Sequence, residues 1–275
     1  MFHRVLPEGL IKEPDAYCSF GTLVSLEFFE LILAILKKND FEFVNVSEIG
    51  AKKYKKRTIA LTFDDGYSDN FEFAYPSLKK FDATATFFPV VSPCKENSVL
   101  PLDTYYQYVD EANFSADERK EFISGRTKRN FYWSEPNEQL KMLKELFKEP
   151  SSNSRVKYMT EEQLKQLSNE GFEIGSHGIT HSLLIADYMT EDRAIAELSD
   201  SKRWLEEILE KPILSYCFPA GRYNTRMIEL AKQIGYTSTC LVHKNKNERH
   251  PLVSHERFFV KPDSLESLKV ALKIE

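Results

Sequence analysis

Apolar positions along the chain switch between two spacings, and the switching itself predicts a fold class. From Ser25 to Lys38, Leu26, Phe29, Leu33 and Leu36 recur at three- and four-residue intervals, the pattern of a helix with one buried face. Thr58 to Phe63 is short, β-branched and apolar, as a strand covered on both faces should be. A helix over Asn70–Lys80 and a second buried strand over Ala83–Val91 follow. Thr160-Glu161-Glu162-Gln163 is a capping box that opens a helix, Gly171 closes that helix, and Phe172–Ser176 is a third strand running into His177. Ala194, Leu198, Ser201, Leu205 and Ile208 line one face of a long helix over Glu191–Lys211, which Pro212 stops. The run continues with a strand over Ile213–Phe218, a helix capped by Thr225 and ended by Gly235, and a strand over Tyr236–Val242. A short strand over Arg257–Val260 and a helix over Asp263–Lys273 close it. Strand and helix in turn at this spacing predict an α/β fold, a parallel sheet covered by helices and curled into a barrel.

One stretch breaks the rhythm. Roughly 65 residues separate Ser92 from Lys157, where a βα connection normally takes ~2 to 6, so residues 93–157 are expected to be an insertion within a single domain spanning 1–275. It mixes aromatics (Tyr105, Tyr106, Tyr108, Phe131, Tyr132, Trp133) with bases (Arg119, Lys120, Arg126, Lys128, Arg129). Helices packed on the rim are one reading. A substrate-contacting flap is the other, since ring faces suit sugars and bases suit phosphates.

Composition narrows the function. Lys and Arg number 37 against 42 Asp and Glu, a net charge of −5, so the basic excess of a general nucleic-acid binder is missing. With 42% hydrophobic residues and a mean hydropathy of −0.42, the chain can build a core, yet no apolar run approaches the ~20 residues of a membrane-spanning helix. Cys18, Cys94, Cys217 and Cys240 show no metal-type spacing and are expected to be free thiols. Met1 to Pro7 carries no apolar stretch of the secretory kind, so the expectation is a cytoplasmic protein, with export open if the chain has been trimmed.

Two clusters carry candidate chemistry. Asp64 and Asp65 stand at the end of an apolar strand, with Gly66 allowing the backbone to turn, and the carboxyl ends of parallel strands are where ligands bind. Neighbouring side chains diverge there, so one carboxylate can face a cation while the other handles a proton; the plainer reading is a polar turn. His177 and His181, two of the six histidines, lie four apart after the third strand, a spacing that can aim two imidazoles at one ion. A single histidine would more simply be a satisfied core residue. Two with an aspartate make a His₂Asp site, the open, catalytic form of a metal centre.

These residues carry a resemblance. Thr62-Phe63-Asp64-Asp65-Gly66 and His177-Gly178-Ile179-Thr180-His181 resemble the two motifs of the polysaccharide deacetylase family, the NodB-homology or carbohydrate esterase family 4 group. Gly66-Tyr67-Ser68-Asp69-Asn70, Ala85-Thr86-Phe87-Phe88 and Phe218-Pro219-Ala220-Gly221 agree with it. The resemblance implies a distorted (β/α) barrel of about seven parallel strands. It implies Asp64 as general base, and Asp65, His177 and His181 as ligands of one divalent ion, usually Zn²⁺. It also implies the Ala220 N–H after Pro219 as oxyanion donor, with Tyr67 beside the substrate. The family's late Leu-x-His motif and its Asp-x-x-Asp-Trp have no clear copy here, and Tyr216 stands where its arginine is expected. A branch similar to the poly-N-acetylglucosamine deacetylases carries its acid histidine near the N-terminus, which Phe2-His3-Arg4-Val5 resembles. His3 is then the expected general acid and His255 the reserve, with Arg257 orienting a carboxylate. His243 and His250 read as solvated loop residues.

The implied activity is removal of acetyl from an N-acetylated sugar or glycan by a metal-dependent hydrolase. Two alternatives stay open: a degenerate member that only binds saccharide, and a metal-dependent O-acetyl esterase or non-sugar amidase on the same fold. An acetylated sugar is the expected partner, and the oligomeric state is not legible.

Overall fold

Ten short strands carry the sheet structure of the computed structural model, which describes all residues except 13–14, 50–53, 148–154, 243–251 and 275. They are β1 (Arg4–Leu6), β2 (Leu23–Ser25), β3 (Glu42–Phe43), β4 (Thr58–Ile59), β5 (Thr62–Asp65), β6 (Thr86–Pro89), β7 (Glu173–Ile174), β8 (Ser215–Cys217), β9 (Ser238–Leu241) and β10 (Val253–Glu256). Every strand pair among them is parallel, in the orders β1-β2, β3-β4, β5-β6-β7 and β10-β9-β8. The architecture is therefore mixed α/β with parallel strands, in four small sheets of two or three strands where one run of about seven was expected. Single parallel bridges, Phe2 to Phe63 and Ser176 to Tyr216, link neighbouring sheets.

Aromatic rings fill the space beneath the carboxyl ends. Phe63 stacks on Phe2 at 5.4 Å and on Phe87 at 4.9 Å between centroids, and Phe87 meets Phe172 edge-on at 5.9 Å. All four rings are buried, each contributing an apolar area that only a core can hide. Because side chains alternate along a strand, the register that sends Phe63 into this core sends Thr62 and Asp64 to the opposite face.

Element ends differ from the sequence reading in instructive ways. The expected strand over Thr58–Phe63 divides into β4 and β5, paired with different neighbours. The expected helix over Asn70–Lys80 opens as a π-turn over Asn70–Ala74 before the α-helix Tyr75–Lys80. Pro76 supplies the reason: it has no N–H for the carbonyl four residues back, and its ring forces the turn wide. Asn224, not Thr225, caps the helix Thr225–Ile234, its Oδ1 accepting from the Met227 N–H at 3.0 Å. The last strand is Val253–Glu256, and Arg257–Val260 lies beyond it. The described part of the insertion folds as helices joined by short loops: Val91–Glu96, which begins just before it, then Pro101–Glu111, Ala116–Ser124, Arg126–Trp133 and Pro136–Leu146.

Candidate active site

Asp64 and Asp65 end β5 and leave it in opposite directions. Asp65 is in the left-handed region at φ 71° and Gly66 follows at φ 83°, where an added Cβ would lie 2.9 Å from Pro89. His181 (φ 62°) and Ala220 (φ 51°) are also left-handed. Such backbone costs on the order of 1–3 kcal/mol per residue, so three non-glycine cases around one cavity mark a place where geometry is held for a purpose.

Asp64 faces Arg257, the first residue past β10. The guanidinium donates from Nη1 to Oδ1 at 2.6 Å and from Nη2 to Oδ2 at 2.8 Å, and Nη1 also reaches Thr62 Oγ1 at 3.2 Å. Both side chains are buried. Burial opposes ionisation of Asp64, but the guanidinium overrides it and holds the carboxyl well below the usual carboxylate range. Arg257 Nη2 also donates to Cys217 Sγ at 3.0 Å, and that sulfur lies 3.6 Å from Asp64 Oδ2. Sequence spacing gave no sign of Cys217; only the parallel pairing of β8 with its neighbours brings it there.

Asp65 faces the two histidines. Its Oδ1 lies 3.4 Å from Nε2 of His177 and 3.4 Å from Nε2 of His181, and it is buried without a hydrogen-bond donor. His177 Nδ1 is 2.7 Å from the Cys217 carbonyl oxygen. A carbonyl only accepts, so Nδ1 carries a proton and Nε2 is the ring nitrogen that faces Asp65. Although burial opposes the charged ring, Cys217 and the Asp65 carboxylate hold the His177 pKa above the usual imidazole value, so an ion binding here would displace the Nε2 proton. Burial pushes His181 down to about 4, which keeps its imidazole in the neutral, ligating form. An orphaned carboxylate oxygen ringed by two imidazole nitrogens is a donor set that fits a divalent cation. Asp64, His177 and Cys217 also come close together, but the Arg257 guanidinium already occupies that side and would repel a cation.

The loop that presents these imidazoles is braced from outside. The Glu197 carboxylate accepts from the Ile179 N–H at 2.7 Å, the Thr180 N–H at 3.1 Å and the Thr180 hydroxyl at 2.5 Å. His3 reaches the cavity because its segment lies along β5: the Phe2 N–H donates to the Thr62 carbonyl, and the Asp64 N–H donates to the Phe2 carbonyl. Asn70 Nδ2 donates to the His3 carbonyl at 2.7 Å, while Asp69 accepts from the Val5 N–H and pairs with Arg4 at 2.9 Å. The His3 ring sits edge-on to Phe259, its Nδ1 is buried without a partner, and burial lowers its pKa against the pull of Asp65 and Asp64.

His3, Asp64, Asp65, His177, His181, Ala220, Tyr67 and Arg257 all line one cavity of about 470 Å³. Ala220 lies in the turn Pro219–Gly221. The Tyr67 hydroxyl is committed to Asp103 at 2.9 Å, so Tyr67 offers the cavity its ring. Tyr17 and Tyr158 donate to the same Asp103 carboxylate, and burial raises that carboxyl to about 6. Asp103 belongs to the insertion, which thus ties itself to the loop after β5. The insertion helix Arg126–Trp133 adds Lys128, Arg129, Tyr132 and Trp133 to the lining, with the Tyr132 ring 6.1 Å from that of His181. His255 is not brought to this cavity. It lies on β10 two residues before Arg257, roughly 7 Å further down the strand by the usual rise, and lines a different cavity beside Phe2 and Ile32. His243 and His250 lie outside the described residues.

Residues 51–239, more than half of the chain, match the family model described as "Polysaccharide deacetylase". The chain belongs to the polysaccharide deacetylase family. Among curated relatives of this deacetylase-family chain, YxkH of Bacillus subtilis (strain 168), named among polysaccharide deacetylases, is 24% identical over 185 residues. That alignment covers 67% of this chain and 44% of the relative. The peptidoglycan-N-acetylglucosamine deacetylase of Bacillus cereus is 32% identical over 73 residues, 26% of this chain and 33% of that protein. The chain thus spans less than half the length of these two relatives. Its fold is shared with the Streptococcus pyogenes deacetylase PplD in complex with acetate, at a TM-score of 0.66 and 19% identity, covering 100% of this chain and 96% of that one. IcaB from Ammonifex degensii gives a TM-score of 0.64 at 17% identity, covering 98% and 93%.

Proposed function

We propose that the chain is a metal-dependent N-deacetylase that hydrolyses the acetamido group of an acetylated sugar. The observation that carries this reading is the convergence of Asp65, His177 and His181 around one orphaned oxygen, with Asp64 beside them in the same cavity. Asp65, His177 and His181 would hold a divalent ion. Zinc suits two neutral imidazoles and a carboxylate, and when bound it supplies Lewis acidity and a water of lowered pKa.

The chain's own groups account for the protons. Asp64, kept ionised and oriented by Arg257, takes a proton from the water that adds to the acetyl carbon. The Ala220 N–H faces the oxygen that gains negative charge. As the C–N bond breaks, His3 in its protonated form, which Asp65 and Asp64 favour against burial, gives a proton to the departing amine, so acetate and a free amino sugar leave. Tyr67, Tyr132 and Trp133 supply ring surface for the sugar. We also infer that the four sheets run round toward a distorted barrel with this cavity at its carboxyl-end mouth. Besides the two single bridges, the Val260 N–H donates to the Met1 carbonyl at 3.1 Å, joining the last strand region to the first.

The test is acetate release from a panel of N-acetyl and O-acetyl sugars, with Asp64→Asn as control. Release from N-acetyl substrates that the substitution abolishes is expected. Release from O-acetyl esters alone would assign an esterase, and saccharide binding without any release would assign a lectin-like relative.

A further inference from the structure

The cavity holds a second set of charges that the hydrolysis leaves unused. Lys128 and Arg129 from the insertion and Arg222 from the loop after Pro219 line it together. Among the described residues, its only carboxylates are Asp64, already on Arg257, and Asp65, turned toward the histidines. Lys128 is only 8% exposed, and among the described residues no acid or carbonyl meets its ammonium. Aromatic rings surround it instead: Nζ is 3.1 Å from the Phe20 centroid, 5.1 Å from Tyr106 and 6.0 Å from Tyr132.

Its Nζ keeps only a narrow opening to the cavity, and an ammonium stripped of most of its water without an anion is costly, ring faces returning only part of the lost hydration. Desolvation accordingly lowers Lys128 to about 7. A lysine whose only task was to pack would be better replaced by methionine or leucine, so the missing partner is sought outside the chain. The Tyr132 ring neighbours both groups, 6.0 Å from the Lys128 ammonium and 6.1 Å from the His181 ring, so the basic group and the metal-ligand cluster share one wall of the cavity. An acetylated sugar seated at the cluster would place its neighbouring substituents there.

We propose, on the basis of the deacetylase reading above, that Lys128 with Arg129 and Arg222 forms an anion subsite and that the acetylated sugar carries a phosphate or carboxylate. Lysine serves as a point charge and arginine as a planar fork for the same oxyanion.

Three probes test this: N-acetylglucosamine 1-phosphate, N-acetylmuramic acid, and the neutral methyl glycoside of N-acetylglucosamine. At least one anionic probe should exceed the neutral one in kcat/KM by about tenfold, the size of one charge-assisted contact, and which one does so separates phosphate from carboxylate. Lys128→Met should bring that ratio to about one. Arg222→Gln, at an exposed position that packing does not constrain, should lower the same ratio several-fold and keeps the test open if Lys128→Met does not fold. A wild-type ratio of one or less, or a ratio unmoved by both substitutions, overturns the subsite. Calorimetric binding of the same probes needs no turnover. If no acetate is released from any of them the deacetylase reading fails, while the subsite still stands or falls on whether an anionic probe binds more tightly than the neutral one and loses that advantage in Lys128→Met.

Discussion

Arg257 grips Asp64 through both carboxylate oxygens across 193 residues of sequence, with the two side chains almost wholly removed from water. The fork also reaches Thr62 and Cys217, so the carboxylate, a strand residue and a thiol share one cation. The guanidinium arrives from the first residue past β10, while Tyr216, where an arginine was expected, is a buried residue of β8.

Removing this fork should damage both stability and chemistry. Arg257→Met leaves a buried carboxylate unpaired, at a cost of roughly 3–5 kcal/mol, read as a fall in urea midpoint. Because Arg257 is what lowers the Asp64 pKa, its loss moves the acid limb of kcat/KM to higher pH. Arg257→Lys keeps the charge but not the fork, and should lie between wild type and Arg257→Met in both measurements.

Asp103 predicts a pH dependence of stability with a definite sign. Its carboxyl titrates near 6 in the folded chain and near 3.8 ordinarily, so the folded state binds the extra proton between these values. The stabilisation is complete below pH 4 and is lost as pH rises through 6, by on the order of 3 kcal/mol from this group. Urea unfolding at pH 4.5 and pH 7 should show Asp103→Asn flattening that slope. An unchanged slope would mean that the three tyrosine hydroxyls compensate fully for burial.

The two motifs were legible because each is local: Asp64 and Asp65 end one strand, and His177 and His181 share one loop. The long helix over Glu191–Leu209 and the Thr160 capping box were readable for the same reason, since periodicity and caps are written in adjacent residues. Cys217 and Glu197 escaped because their roles depend on contacts across the fold, and Lys128, though named among the bases of the insertion, was not told apart from the exposed ones. Nothing near Cys217 in sequence indicates that Asp64 and Arg257 will meet its sulfur, and nothing in the charge pattern of the insertion marks Lys128 as buried. Strand boundaries were blurred where apolar runs such as Thr58–Phe63 serve two different sheets.

Glu197 should act on metal affinity while touching none of the cluster itself. Glu197→Ala removes the acceptor for two backbone N–H groups and a hydroxyl in the loop carrying His177 and His181. Zinc affinity should fall about 10- to 100-fold, as for other supporting partners of metal ligands, measured by competition with a chelator. An unaltered affinity would show that the loop holds its shape without the brace.

His3 should separate chemistry from ion binding. His3→Ala is expected to lower kcat by ~10² to 10⁴, the usual contribution of a general acid, with ion content unchanged. Asn70→Ala, which frees the His3 carbonyl, should reproduce a smaller part of the same loss. Full turnover in His3→Ala would assign the proton to another donor.

The most direct measurement is the ion content of the purified chain by mass spectrometry, in wild type and in His177→Ala with His181→Ala. The account predicts one equivalent of divalent ion in wild type, either retained through purification or taken up on adding zinc, and none in the double substitution. A wild-type chain that refuses zinc, or a double substitution that binds it as well, would contradict the account.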